Sequence, residues 1–330
     1  MKEIVVTPQE SGEKLIRYLN RHLPEASTGF LYKMLRKKNI TINKKKCSGN
    51  ESISEGDHIQ IFFSDETYAK MSGQKGEGTD LAASYAISKM VYSDIKERIL
   101  FENEDYIAFN KRQGELSQKA SDSDRSVNEI LIGYLLKDGQ LDENLLVTFK
   151  PSVINRLDRN TSGVILFGKT MKALQNGGEM MQTHDGNKTY RCISCLHSNC
   201  KFNEKETEIS GFLTKDTERN IVKFSDFPMN SDSKDMLETV RVIQRKGDLA
   251  LLEIRMMTGR SHQIRASLYH YGAPILMDPK YGDPQANRRY GQDLPGDVGQ
   301  LLHAYSVELP KLGKVMAPMP ETFTALMNDE

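Results

Sequence analysis

The segment Asn155-Arg156-Leu157-Asp158-Arg159-Asn160-Thr161-Ser162-Gly163 gathers charged and polar side chains and runs straight into the apolar stretch 164–167. Residues 160–163 are turn formers, so Asp158 belongs to a loop at the mouth of a strand. A lone loop aspartate usually caps a turn. Here Arg159 lies one residue away and Arg156 two away, which favours the ionised carboxylate. An ionised aspartate in a cleft can act as a nucleophile or as a base. A second cluster, Thr258-Gly259-Arg260-Ser261-His262-Gln263-Ile264-Arg265, opens a helix. Ser261 is a plausible N-cap, Ile264, Leu268 and Tyr271 form an apolar stripe, and Gly272 and Pro274 end the helix. Arg260 and Arg265 then sit where the helix dipole disfavours cations. A nearby carboxylate or phosphate would reverse that sign.

Two shorter groups follow. Lys188-Thr189-Tyr190 opens a strand, and Asp278-Pro279-Lys280-Tyr281-Gly282-Asp283 reads as a turn. Cys192, Cys195, His197 and Cys200 have a superficial zinc spacing. Cys192 and Cys195 fall in a predicted strand, however, where residues three apart face opposite sides, so no metal is expected. There is no phosphate-binding loop, dinucleotide fingerprint or His-Glu-x-x-His motif, and no convincing Ser/Cys-His triad spacing.

The elements that must position these groups read as an α+β protein. The stretch 99–111 reads as a hairpin around Asn103-Glu104-Asp105, and 236–256 as another around Lys246-Gly247-Asp248. Further strands are expected at 164–167, 189–196, 211–214 and 222–224. Adjacent hairpins predict a mostly antiparallel, mixed sheet with a few helices, spanning a domain from 95 to 330. Ahead of it, residues 1–63 read as a small α/β module. In it, Leu15, Leu19 and Leu23 share one helical face, and a second helix capped by Ser27 or Thr28 buries Leu31, Met34 and Leu35. A strand at 40–43, a polar loop, the turn Glu55-Gly56-Asp57 and a strand ending at Phe63 complete it. Residues 64–80 are polar and aperiodic, so 64–94 is expected to be a linker, its first part flexible.

Net charge is zero, from 45 Lys+Arg and 45 Asp+Glu, but the charge is segregated. Residues 31–50 contain Lys33, Arg36, Lys37, Lys38, Lys44, Lys45 and Lys46 and no acid. A local basic face on a neutral protein can meet a polyanion. Four Cys fit a reducing compartment rather than a disulfide scaffold. The N-terminal residues lack a signal-peptide pattern, and no apolar run is long enough to span a membrane. A cytoplasmic monomer without membrane contact is expected.

Taken in order, Arg156-Leu157-Asp158-Arg159-x-Thr161-Ser162-Gly163, Lys188-x-Tyr190, Gly259-Arg260-Ser261-His262-Gln263-Ile264-Arg265 and Asp278-x-x-Tyr281-Gly282 resemble the motifs of RluA/RluC-type pseudouridine synthases. The Asn110-Lys111 hairpin end with Gly114, and Leu302-His303-Ala304, fit the same pattern. The likeness covers about residues 95–320. Residues 13–63 separately resemble the alpha-L RNA-binding motif of a small-subunit ribosomal protein.

The resemblance implies isomerisation of uridine to pseudouridine in RNA, with no cofactor or metal. Asp158 matches the catalytic aspartate, which either adds to C1′ or removes a ribose proton. Tyr190 matches the tyrosine that stacks on the base, and Arg265 the arginine that pairs with the aspartate. Arg156 matches the residue that fills the gap left by a flipped nucleotide. Arg156, Arg159, Arg260 and His262, with the seven cations of the N-terminal module, are the expected RNA contacts. Large-subunit ribosomal RNA is the favoured substrate; transfer RNA and a non-catalytic role in ribosome assembly are the alternatives. A glycoside hydrolase would want a second positioned carboxylate, and no acidic partner motif is present. The chain departs from the family pattern at Asn155, where a His usually stands, and at Arg112, where a Pro often follows Asn-Lys. The role of 196–235 is unassigned.

Overall fold

The computed structural model describes residues 1–328 except 74–91, 122–123, 148, 184–186, 293, 295–297 and 310–312. The first residues form a four-stranded sheet of β1 (Lys2–Val5), β2 (Ile40–Ile42), β3 (Lys45–Lys46) and β4 (His58–Ile61), in the order β1-β4-β2-β3. Helices Leu15–His22 and Thr28–Arg36 complete it. Ser27 caps the second, its hydroxyl accepting from the Phe30 N–H at 3.2 Å. Leu15, Leu19, Leu23, Leu31 and Leu35 are fully buried with Ile40, Ile59 and Ile61.

Two features of this unit differ from expectation. The edge strand β1 pairs antiparallel with β4, closing the sheet from a segment too short to show a pattern. The stretch read as a polar loop after Ile42 is a hairpin instead. Asn43 and Lys44 both adopt positive φ, the signature of a two-residue type I′ turn, and β3 returns along β2.

The stretch read as a linker begins with a helix, Asp65–Ser72. Ser64 caps it by accepting from the Thr67 N–H, and Asp65 and Glu66 occupy the favourable first turn. Tyr68 and Met71 pack against the first unit's core. The rest of the expected linker, up to residue 91, lies outside the described residues, and a helix Tyr92–Glu97 follows.

The second sheet has 11 strands: β5 (Ile99–Glu102), β6 (Tyr106–Lys111), β7 (Ser152–Val153), β8 (Ser162–Gly168), β9 (Asn187–Cys195), β10 (Thr207–Asp216), β11 (Ile221–Ser225), β12 (Lys234–Lys246), β13 (Leu249–Met256), β14 (Leu302–Leu309) and β15 (Gly313–Met316). Its order is β11-β10-β12-β13-β9-β14-β8-β6-β5, with β15 on β14 and β7 on β8. Every pairing is antiparallel except β14 with β8, so the α+β, mostly antiparallel reading holds. Segment 196–235 supplies the hairpin β10–β11 at one end of this sheet.

One cross-strand row organises the site. Lys111 faces Gly163, Gly163 faces Ala304, and Ala304 faces Tyr190. Gly163 has φ +108°, and a Cβ built there would lie 2.2 Å from the Ala304 carbonyl oxygen. Only glycine lets β8 approach β14 this closely. Cys192 packs into the core beneath the helix Gln263–His270, whereas Cys195 packs with Leu276 and Phe323, the opposite facing expected of strand residues three apart.

Candidate active site

The catalytic-type loop is held from both sides. Ser117 grips Leu157, its Oγ accepting from the Leu157 N–H at 2.9 Å and donating to the Leu157 carbonyl at 2.8 Å. The Arg159 carbonyl accepts from Lys111 Nζ at 2.9 Å and from the Gly114 N–H at 2.9 Å. Burial lowers the Lys111 pKa to about 8, against the pull of Glu115 and Asp158. Gln113 Nε2 donates to the Asn160 carbonyl at 3.1 Å. The two departures from the family pattern are accommodated here. Asn155 Oδ1 accepts from the Leu166 N–H at 2.7 Å and ties the loop to β8. Arg112 donates its backbone N–H to Glu115 at 2.9 Å, a bond that a proline could not make.

Asp158 faces Arg265 across this framework. Arg265 Nη1 donates to Asp158 Oδ2 at 2.7 Å. The same guanidinium, 4% exposed, forms a fork with Asp278, Nε to Oδ2 at 2.6 Å and Nη2 to Oδ1 at 2.9 Å. Burial works against its charge, but its bonds to Asp278 and Asp158 outweigh that and raise its pKa. A doubly paired arginine of this kind is a rigid arm that holds the third group in place. Asp278 is itself fixed by the N–H groups of Lys280 and Tyr281, at 2.8 and 3.0 Å. The segment read as a plain turn is therefore the second half of the charge clamp. Its clue lay in Arg265: five N–H donors in a buried position need more than one carboxylate.

The helix carrying Arg265 spans Gln263–His270, so Ser261 is not its N-cap. His262 holds that position at φ 52°, without a side-chain capping bond. Gln263 turns back instead, its Oε1 accepting from the Arg260 N–H and the Thr258 hydroxyl at 3.1 and 2.9 Å. Its Nε2 donates to the buried Glu238 at 3.0 Å, and Ser267 donates to the same carboxyl. Burial raises the Glu238 pKa to about 7. His262 Nδ1 lies 3.0 Å from the Tyr281 hydroxyl, and its Nε2 is 3.9 Å from Asp158 Oδ2. Burial lowers its pKa, with the Asp158 charge opposing. Arg260 meets Asp235, Nη2 to Oδ1 at 2.9 Å. Both helix-start arginines thus have the carboxylates that the dipole argument required.

Asp158, Tyr190, Arg265, Arg156, Arg260 and His262 line one cleft of about 960 Å³. Tyr190 is partly buried against the apolar clusters on both sides of it. Burial, and then the Asp158 charge, raises its pKa. A phenol held neutral in this way is a flat stacking surface and a hydrogen-bond donor. Arg156 and Arg159 are exposed, and no ion pair joins either to Asp158 among the described residues. The cation beside that carboxylate is Arg265, 107 positions along the chain, rather than its sequence neighbours. Arg159 does not line the cleft. Lys33, Arg36, Lys37, Lys38, Lys44, Lys45 and Lys46 are all exposed, and among the described residues none lies within ion-pair distance of a carboxylate. Lys188, to which the sequence reading gave no role, also lines the cleft.

A sheet of this topology with a buried Asp–Arg–Asp clamp at its cleft defines a class, and comparison with known proteins gives its family. The model for the RNA pseudouridylate synthase family matches residues 105–270, and the chain belongs to that family. It is 28% identical to an uncharacterised RNA pseudouridine synthase of Mycoplasma genitalium, over 97% of this chain and 93% of that one. It is 26% identical to ribosomal large subunit pseudouridine synthase C of Escherichia coli, over 97% and 94% of the two chains. Among solved structures, human RNA pseudouridylate synthase domain containing 4 shares the fold, with a TM-score of 0.57 and 16% identity over 73% of this chain and 95% of that one. The protein is an RNA-modifying isomerase. Among the described residues, no helix is long and apolar enough to cross a membrane.

Proposed function

We propose that this chain forms pseudouridine in large-subunit ribosomal RNA, with Asp158 as the group that acts on the ribose. The observation that carries this reading is the 2.7 Å bond from Arg265 to Asp158 inside a cleft that also contains Tyr190. A uridine in folded RNA hides its glycosidic bond, so it must be extruded, at a cost of a few kcal/mol. Contacts to phosphate and stacking offset that cost. In this reading Tyr190 stacks on the extruded base, Arg156 occupies the gap it leaves, and Arg265 holds Asp158 aimed at the sugar. Asp158 then either bonds to C1′ or takes a ribose proton as the N1–C1′ bond breaks. The uracil turns, and C5 bonds to C1′.

Ribosomal RNA is favoured because relatives named as large-subunit pseudouridine synthases match almost the whole chain. Residues 1–63 act as a separate RNA-gripping unit, joined to the catalytic domain 95–330, and the protein works as a monomer in the cytoplasm. The basic face raises the local concentration of RNA at the cleft without touching the reacting atoms. The test maps carbodiimide-reactive pseudouridines in cellular RNA with and without the gene. Loss of sites in large-subunit RNA, restored by the wild-type gene and not by Asp158→Asn, is expected. Sites lost only from transfer RNA would move the substrate, and full complementation by Asp158→Asn would leave only an assembly role.

A further inference from the structure

Two buried lysines flank the cleft, and they differ in kind. Lys111 is fully buried, and its ammonium is spent on the carbonyls of Arg112 and Arg159, at 3.0 and 2.9 Å. Lys188 is 9% exposed. Among the described residues neither an acceptor nor a carboxylate lies within bonding distance of its Nζ. Partial desolvation disfavours an ammonium and lowers the Lys188 pKa. What the ammonium does meet is the cleft, which Lys188 lines together with Tyr190, two residues further along β9 on the same face. A Cβ built at Gly259 would sit 3.7 Å from Nζ. The φ of Gly259 is not in the glycine-favoured region, so the missing side chain there leaves the ammonium uncovered.

We propose that Lys188 is a catalytic residue that hydrogen-bonds a carbonyl oxygen of the extruded uracil and holds the negative charge of the departing base. This rests on the reading of the cleft as the uridine site. The position favours the base over a phosphate. Arg156 and Lys215 line the same cleft and are exposed, as suits contact with a hydrated phosphate, whereas Lys188 is largely shielded from solvent. Residues two apart on a strand are separated by about 7 Å, a span that the extended Lys188 side chain can cover to reach the carbonyl edge of a ring stacked on Tyr190. When N1–C1′ breaks, its electron pair leaves with the base and spreads over O2 and O4. Asp158 takes up the ribose side by bonding to C1′ or removing a ribose proton. Lys188 transfers no proton. It releases the charge when the pair forms C5–C1′, as Asp158 departs from C1′ or returns its proton; the C5 proton is then lost to solvent while N1 takes one up from it.

The test uses the full-length protein and large-subunit ribosomal RNA transcribed with either uridine or 5-fluorouridine, read by single-turnover nucleoside chromatography as loss of the starting nucleoside, because the rearranged fluorinated base has no C5 proton to lose. Removing one charge-stabilising donor from a water-poor site lowers the rate by about 100-fold or more, and that is the loss expected for Lys188→Met on uridine. RNA affinity should change by less than about threefold. Fluorine at C5 draws electron density from the ring and stabilises the same charge, so the loss on 5-fluorouridine should be much smaller. Lys188→Arg should restore part of the rate. Lys188→Met should unfold at the same or a higher temperature than wild type, because the ammonium it removes makes no hydrogen bond or ion pair among the described residues. Equal losses on both substrates, a loss confined to affinity, or an unchanged rate would each overturn the assignment while leaving the enzyme's activity intact. If wild type itself turned over neither RNA, the ribosomal-RNA reading and this assignment would fall together.

Discussion

The cleft and the basic face of the N-terminal unit use charge in opposite ways. In the cleft, Asp158, Arg265 and Asp278 are locked to one another by bonds of 2.6–2.9 Å, and Arg265 is almost fully buried. On the N-terminal face, seven cations are exposed with no carboxylate partner among the described residues. A buried pair is costly to desolvate and loses much if one member is removed. It holds a reacting group in a single geometry. Exposed lysines are cheap, mobile and screened by salt, which suits a grip on phosphate that must be made and released. In the proposed function, position belongs to the first region and affinity to the second.

The sharpest way to break this contrast is Asp158→Asn. It keeps the shape of the side chain and removes the charge, and should lower pseudouridine formation by about 10⁴-fold or more. RNA affinity, measured by filter binding, should stay near wild type. Substantial turnover by this variant would show that the clamp aims something else. Next in size is Asp278→Asn, a change at a carboxylate that bonds Arg265 and the N–H groups of Lys280 and Tyr281. Leaving a buried charged group partly unsatisfied costs about 1–3 kcal/mol, so kcat should fall about tenfold to 100-fold with KM little changed. A change in KM alone would place Asp278 in binding rather than in positioning. Gly163→Ala tests the framework beneath both. A β-carbon 2.2 Å from a carbonyl oxygen at φ +108° cannot be absorbed without moving a strand. A stability loss of at least about 2 kcal/mol in urea unfolding is expected.

Legibility in the sequence follows the same division. The hairpin β12–β13 and the helix cap at Ser27 rest on neighbours in the chain, and alternation or a single side chain sufficed to read them. The N-terminal cations are legible for the same reason, since exposure needs no partner. The order β9-β14-β8 is different: Tyr190 meets Ala304 and Ala304 meets Gly163 through pairings more than 100 residues apart, which no local pattern encodes. At the helix start, the dipole argument required anions beside Arg260 and Arg265 but could not name Asp235, Asp158 and Asp278. The family motifs named Asp158 for Arg265. Asp278 stood in a family motif, but its pairing with Arg265 stayed hidden because a turn with an aspartate at its head is sufficient as local structure. The cap at Ser261 failed because Gln263, whose side chain folds back onto Thr258 and Arg260, satisfies that loop in a way no capping rule anticipates. The helix Asp65–Ser72 was missed because its apolar contacts, Tyr68 and Met71, are too few to make a stripe.

On the N-terminal face, Lys37, Lys38, Lys44, Lys45 and Lys46 changed together to Gln should weaken RNA binding and flatten its salt dependence. The log–log slope should drop by about 0.7 per lost contact to single-stranded RNA. Single-turnover rates at saturating RNA should be unaffected. An unchanged slope would make the face an ordinary solvated surface and remove one side of the comparison.

The smallest effect expected concerns Glu238, which braces the cleft through Gln263 and Ser267. Its carboxyl is raised to about 7 by burial, from an ordinary 4.5. The folded state therefore binds a proton that the unfolded chain gives up near 4.5. The contribution of that proton to stability is fully present below about 4.5 and is lost as pH rises through about 7. Glu238→Gln keeps a polar group of the same size without the titration, so its unfolding midpoint in urea should depend less on pH between about 4.5 and 7 than that of wild type. The fivefold Gln variant leaves Glu238, Gln263 and Ser267 untouched, so it should retain the wild-type slope. Parallel pH profiles for wild type and Glu238→Gln would mean that the carboxyl stays ionised in the fold, with Ser267 and Gln263 outweighing its burial.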